Sequence, residues 1–268
     1  MESLSAITSS ESFPQVFDRL RARRRAALVP YLTAGFPDRA ASLAALRAAD
    51  RWADILEVGV PFSDPVADGP TIQRSSHRAL AAGMTLAGTL DLIREAHLTT
   101  PVVLFTYLNP VLAHGVTRLL EEAWEAGVRG LLLTDLPVDG DPALEAEIAA
   151  GPVDLIRLVA PTTSAARLDR ISATARGFVY LIGRLGVTGA RRELSADLAS
   201  QVARVRARVS APLAVGFGIA TAGQARAVAG LADAVVVGSA VVEALDTEGV
   251  AGMARLLSSL HDAMERAA

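Results

Sequence analysis

At 268 residues, 51% hydrophobic and 21% charged, the chain carries enough apolar material for a large core, and its composition is not that of a disordered protein. A net charge of −3 gives no electrostatic reason to expect nucleic acid or an anionic membrane as partner, and no apolar run reaches the length of a membrane span. There is no cysteine and no lysine, all 26 basic residues being Arg; this removes disulfides, thiolate nucleophiles and every mechanism through a lysine Schiff base.

After a polar leader over 1–12, which lacks the basic end and apolar centre of a signal peptide and is expected to be flexible, Phe13 to Arg24 reads as an amphipathic helix. Phe13, Val16, Phe17 and Leu20 form its stripe; the basic run Arg21 to Arg25 suits its C-terminal end better than an RNA contact, having no interleaved aromatics. Ala26 to Thr33 is the first strand, followed by a helix from Asp38 to Asp50. The second strand runs from Ile55 to Val60, and helices follow over Thr71–Ala82 and Leu86–His97. Pro101 to Tyr107 is the third strand, broken at Asn109-Pro110, and Thr117–Ala126 is helical. Val128 to Thr134 is the fourth strand, and Asp141-Pro142 opens the next helix as N-cap and first-turn proline. The fifth strand is Val153–Ala160, with a helix over Ser164–Thr174. The sixth is Gly177–Ile182, with a helix over Ser195–Val209. The seventh is Pro212–Val215, before a helix whose Thr221 and Gln224 have capping-box spacing. Ala234–Val237 is the eighth, and helices run from Ser239 to the end. Eight apolar strands alternating with helices predict a single-domain α/β fold, a parallel (β/α)8 TIM barrel over 1–268 with an extra N-terminal helix. An open doubly wound sheet is second, since a Gly-x-Gly-x-x-Gly after the first strand is missing.

One stretch concentrates the chemistry. In the second strand, alternation puts Ile55 and Glu57 on one face and Leu56 and Val58 on the other, so helices over the latter pair would turn Glu57 into the barrel. Pro61, Pro65, Gly69 and Pro70 then impose a stiff loop carrying Asp64 and Asp68. A buried carboxyl facing a second one is a layout for acid–base work; a core Glu paired with an Arg, with Asp-Pro and Asp-Gly as turn formers, is the plainer reading. Barrel active sites lie at the C-terminal ends of the strands. Those ends hold Tyr31, Glu57, Tyr107, Asp135, Tyr180, Gly216-Phe217-Gly218 and Gly238-Ser239. The last two groups have the make-up of an anion cradle, glycine backbone beside a helix N-terminus. The four histidines are scattered with no metal-ligand spacing, so no metal site is expected.

The run from Leu56 to Gln73, LEVGVPFSDPVADGPTIQ, closely resembles the signature of the tryptophan synthase alpha subunit family. Pro30 to Gly35, Thr106 to Pro110 and the Gly186-Val187-Thr188-Gly189 core of the loop after the sixth strand are similar to further segments of it, so the resemblance spans nearly the whole chain. Gly183, Leu185, Leu108 and Ala113 depart from the family's more usual residues. The resemblance implies a cytoplasmic carbon–carbon lyase that cleaves indole-3-glycerol phosphate to indole and glyceraldehyde 3-phosphate in tryptophan biosynthesis. It implies Glu57 and Asp68 as catalytic residues. Tyr31, Tyr107, Tyr180, Thr188 and Phe217 would bind substrate, and Gly189, Gly218, Gly238 and Ser239 its phosphate. It also implies no cofactor in this chain and a pyridoxal-phosphate beta subunit as partner in an α2β2 heterotetramer, met through Pro61, Asp64 and Asn109. A stand-alone lyase of the same family, a non-catalytic barrel that activates a partner, and a phosphosugar epimerase or isomerase on the same barrel remain as alternatives. The last lacks its expected His set or Lys.

Overall fold

Eight short strands pair in parallel, in sequence order, and close on themselves: β1 (Ala27–Thr33), β2 (Leu56–Gly59), β3 (Val102–Thr106), β4 (Val128–Leu133), β5 (Asp154–Val159), β6 (Val179–Ile182), β7 (Leu213–Gly216) and β8 (Ala234–Val237). The computed structural model describes residues 11–182, 197–216 and 218–264. Closure comes from pairing of β1 with β8, Ala27 opposite Ala234 through Pro30 opposite Val237, which removes the open doubly wound sheet.

Strand alternation sorts the side chains into two layers. Leu28, Leu32, Leu56, Val58, Val102 and Leu104 face outward into a continuous apolar shell under the helices. Ala27, Val29, Ile55, Val103, Leu132, Ile156, Ala214, Ala234 and Val236 fill the barrel's interior. The helix α1 (Phe13–Ala22) closes its N-terminal end, inserting Phe13, Val16, Phe17 and Leu20 into that inner cluster, with Phe13 meeting Phe178 edge-on at 5.3 Å. Each such burial contributes on the order of 1.5–3 kcal/mol, so α1 is an integral plug rather than an appendage. From the segment expected as a leader, Glu11 pairs with Arg19 at 2.7 Å and the Ser12 amide donates to Gln15 Oε1 at 2.8 Å. Within the basic run, Arg21 pairs with Asp18, and Arg25 forms a buried ion pair with Asp54.

The outer helices begin where short polar residues satisfy first-turn amides. Asp38 caps α2 (Arg39–Ala49), Thr85 caps α4 (Leu86–Ala96), Asp141 caps α7 (Pro142–Ala150), Ser164 caps α8 (Ala165–Thr174) and Thr221 caps α10 (Ala222–Ala229). The remaining helices are α3 (Pro70–Ala81), α5 (Leu108–His114), α6 (Val116–Glu125), α9 (Asp197–Arg206) and α11 (Ser239–Met264), the last bent at Gly249.

Two expectations need correcting. Asn109-Pro110 does not interrupt the chain after β3 but lies in the first turn of α5, where proline's missing N–H removes no helical bond. Asp135 does not line the central cavity; its Oδ1 accepts from the Leu108 amide, the first of that helix, at 2.8 Å.

Candidate active site

The end of the barrel that holds Tyr31, Glu57 and Tyr180 is assembled by register. Pairing of β1, β2 and β3 sets Tyr31 opposite Glu57 and Glu57 opposite Val103. Pairing of β5 with β6 sets Leu158 opposite Tyr180. Glu57, two residues on from the inner-layer Ile55, therefore points into the mouth of the barrel and is only 3% exposed. Two glycines make room for phenols. A Cβ on Gly59 would lie 2.0 Å from the Tyr31 hydroxyl, and one on Gly216 would lie 2.3 Å from that of Tyr180, so only hydrogen at those positions lets both rings lie flat across the neighbouring strand.

Tyr31, Glu57, Asp68, Phe105, Leu158 and Tyr180 enclose a cavity of about 160 Å³, completed by Ala67, Gly69, Ile72, Thr134, Ile182, Val236 and Gly238. The walls are apolar and aromatic, with Tyr31 against Phe105 edge-on at 5.4 Å, and the two carboxyls are its ionisable groups of ordinary acidity. Burial pushes Glu57 up to about 8, with the charge on Asp68 adding to the shift. Among the described residues no Arg counters it, which removes the reading of Glu57 as a core residue satisfied by a cation. Burial also raises Asp68, to about 6, against the pull of a hydrogen bond from Tyr107. Near neutral pH, Glu57 thus holds its proton while Asp68 is largely ionised, the separation of proton affinities that lets two like groups play acid and anion. Tyr31 and Tyr180 are driven upward chiefly by burial and stay neutral.

Asp68 belongs to the loop between β2 and α3, where Asp68 N donates to the Pro65 carbonyl at 3.0 Å. Tyr107, at the end of β3, stands behind this loop and outside the cavity lining. Its hydroxyl donates to Asp68 Oδ2 at 3.0 Å and accepts from the Ala67 amide at 3.1 Å, while its ring stacks on Phe62 at 4.6 Å. It therefore orients the carboxylate instead of walling the pocket.

Of the phosphate candidates, Gly238 borders the central cavity, whereas Gly218 and Ser239 line a separate, open one of about 410 Å³ between the segment after β7 and the side of α11. Gly218 has a left-handed φ of +64°, and α11 opens at Ser239, with the Val241 and Val242 amides donating to the Gly238 carbonyl at 2.9 and 3.1 Å. Thr188, Gly189 and Phe217 lie outside the described residues. On the outer rim, Asp64 and Asn109 are exposed while Pro61 is buried. Val66 and Leu112, at 86% and 51% exposure, add apolar surface to the same two segments. Sequence reasoning missed Phe105 and Leu158; continuing the alternation from Val103 and Ile156 by one more step would have found them.

The chain matches the family model described as tryptophan synthase alpha chain over residues 17–268. It is 47% identical over 262 residues to the tryptophan synthase alpha chain of Gluconacetobacter diazotrophicus, covering 94% of this chain and 95% of the relative. It is 45% identical over 260 residues to that of Acidiphilium cryptum, covering 94% of each. Among solved structures, a chain of Mycobacterium tuberculosis tryptophan synthase superposes with a TM-score of 0.88 at 39% identity, over 96% of this chain and 100% of that one. The alpha subunit from Legionella pneumophila gives 0.85 at 34%, over 94% and 97%. Alpha chains of this family need no cofactor of their own and assemble as α2β2 with a beta subunit that carries pyridoxal phosphate. The chain belongs to the tryptophan synthase alpha chain family, and is the lyase that splits indole-3-glycerol phosphate into indole and glyceraldehyde 3-phosphate in tryptophan biosynthesis.

Proposed function

We propose that Glu57 is the acid–base catalyst of this cleavage and Asp68 the anion that stabilises its cation. Without lysine there is no side-chain imine to accept electrons, so the indole ring itself has to serve as the sink. Protonated Glu57 gives its proton to indole C3, turning the ring into an indolenine cation. The resulting carboxylate then takes the proton of the hydroxyl on the adjacent side-chain carbon. As the O–H electrons form the aldehyde, the carbon–carbon bond breaks and its electron pair returns to the ring, releasing indole and glyceraldehyde 3-phosphate with Glu57 protonated again. Asp68 accepts the indole N–H and offsets the charge that develops there.

The observation that carries this reading is the pair of carboxyls in one apolar cavity with proton affinities near 8 and 6. Tyr31 and Tyr180 would shape the indole and glycerol ends, and Gly218, Gly238 and Ser239, with Gly189, would hold the phosphate. The whole chain would act as one barrel domain in the cytoplasm; no described helix is long and apolar enough to cross a membrane. The beta subunit would meet the rim formed by Pro61, Asp64 and Asn109. Asp68→Asn tests the assignment: the amide still accepts the indole N–H but carries no charge, so kcat for aldehyde release falls by 10²-fold or more, on the order of what one stabilising group supplies. An unchanged kcat with a raised KM would make Asp68 a binding residue only.

A further inference from the structure

The catalytic loop poses a mechanical problem. Asp64 and Val66 are exposed and Asp68 is only partly covered, yet the carboxylate of Asp68 has to hold a fixed distance to a reacting ring. Tyr107 restrains the Asp68 side chain from one side, but a side-chain restraint does not fix the backbone that carries it. For the backbone, the first turn of α3 supplies Gln73, half-buried against the loop. Its Nε2 donates to the carbonyl of Pro65 at 3.3 Å and to that of Asp68 itself at 3.0 Å. A side-chain amide nitrogen has two hydrogens, so both bonds form at once, and two carbonyl partners require the nitrogen, not the oxygen, to face the loop. The two acceptors bracket the turn closed by Asp68 N on Pro65 O, so the single amide locks that turn at both ends.

The clamp is mounted on a fixed base. Ser75, two residues along α3, is fully buried, and its Oγ lies 2.7 Å from Thr33 Oγ1 on β1 while donating to the Ile72 carbonyl at 2.8 Å. Ser76 and Ala79 are buried on the same helix. The path therefore runs from a barrel strand through a pinned helix turn to the backbone of the catalytic aspartate. A reacting group must be held within about half an ångström of its working place, which needs supporting hydrogen bonds from rigid elements.

We propose that Gln73 is a positioning residue for the cleavage reaction, holding the backbone of Asp68 by its paired bonds to Pro65 and Asp68, so that the aspartate's carboxylate meets the indole N–H in the transition state. The inference rests on Asp68 acting as the charge-stabilising group. Gln73 does not line the central cavity, so its removal lowers kcat and leaves substrate affinity nearly unchanged.

The experiment uses Gln73→Met, which keeps length and helix propensity but has no donor, and Gln73→Glu, which keeps the shape but sets acceptors against two carbonyl oxygens. Both are assayed as the complex with the beta subunit, following glyceraldehyde 3-phosphate release, with Asp68→Asn in parallel and thermal unfolding of each variant. The expected result is a fall in kcat of roughly 10- to 100-fold, as a small misplacement of a reacting group costs, with KM within threefold and a loss at least as large for Gln73→Glu. A variant that keeps more than half of the wild-type kcat, or that raises KM at constant kcat, overturns the clamp. So does a loss of kcat in both variants that only follows a loss of folded protein at the assay temperature. If Asp68→Asn itself keeps its kcat, the role of Asp68 fails, which is a separate outcome from failure of Gln73 beside an inactive Asp68→Asn.

Discussion

Glu57→Gln separates what this carboxyl does for chemistry from what it does to the fold. Burial, the main cause, pushes this carboxyl from an ordinary 4.5, taken for the unfolded chain, up to about 8 in the fold. Below the lower value both states hold the proton and there is no linkage. Between the two, the unfolded chain releases it while the folded one keeps it, so raising the pH favours unfolding by about 1.4 kcal/mol per unit. Across the interval the loss reaches about 5 kcal/mol as an upper bound, a large share of a typical domain's 5–15 kcal/mol. Glutamine has nearly the same shape and never ionises. The variant therefore exceeds the wild type by less than about 1 kcal/mol near pH 5 and by a few kcal/mol near pH 8.5, while cleavage falls by on the order of 10²–10⁴. Urea unfolding followed by circular dichroism at pH 5, 6.5 and 8.5 reads the difference directly. Parallel stability curves over that range would mean that Glu57 titrates as an ordinary carboxylate, and the argument that it is a ready acid at neutral pH would fall with them.

The same two groups set the pH dependence of kcat/KM: it rises through about 6 as Asp68 ionises and falls through about 8 as Glu57 loses its proton. A profile flat from pH 5 to 9 contradicts both assignments. Tyr107→Phe removes the hydrogen bond that lowers Asp68, so the acid limb moves to higher pH by roughly one to two units, the equivalent of one charge-assisted bond; an unmoved limb would show that the contact is idle. Asp64→Ala, at the exposed outer bend, leaves the lone chain's activity unchanged but removes most of the rise in kcat on adding the beta subunit. Equal losses with and without the partner would place Asp64 in the site itself.

What was legible from sequence follows from period and covalent geometry. Strand alternation is strict, so Ile55 fixes the direction of Glu57 once the opposite face is seen to be apolar, and the prolines mark the loop that carries Asp68. Phe105 and Leu158 were not singled out because an apolar wall residue has the same composition as a core residue; only its height in the barrel differs. Past the strand ends no period applies. The place of Tyr107 behind Asp68 depends on how the loop folds back, and the cap from Asp135 to Leu108 joins positions 27 apart in sequence. Gln73 lay in the recognised motif without a role, since its partners are backbone carbonyls, which sequence does not advertise.

The two carboxyls also explain why the surrounding site is so restrained. A lysine imine or a metal ion brings its own electron sink, and a lapse in geometry weakens it gradually. In the proposed mechanism the sink exists only while the indole ring is protonated, and that cation would be stabilised by one aspartate on a loop, held by Tyr107. The burial that would make Glu57 a usable acid also makes it a burden on stability as the pH rises, so the fold has to draw its stability from elsewhere. The plug of α1 in the far end of the barrel does so without touching the site, because stability and chemistry occupy opposite ends. At the catalytic end the polar bonds are spent on position: Tyr107 on the Asp68 carboxylate, Gln73 on its backbone, Thr33 and Ser75 on the helix beneath. Glu57, set in a strand, needs no such holding, which is why the supports converge on the aspartate and leave the glutamate in an apolar wall.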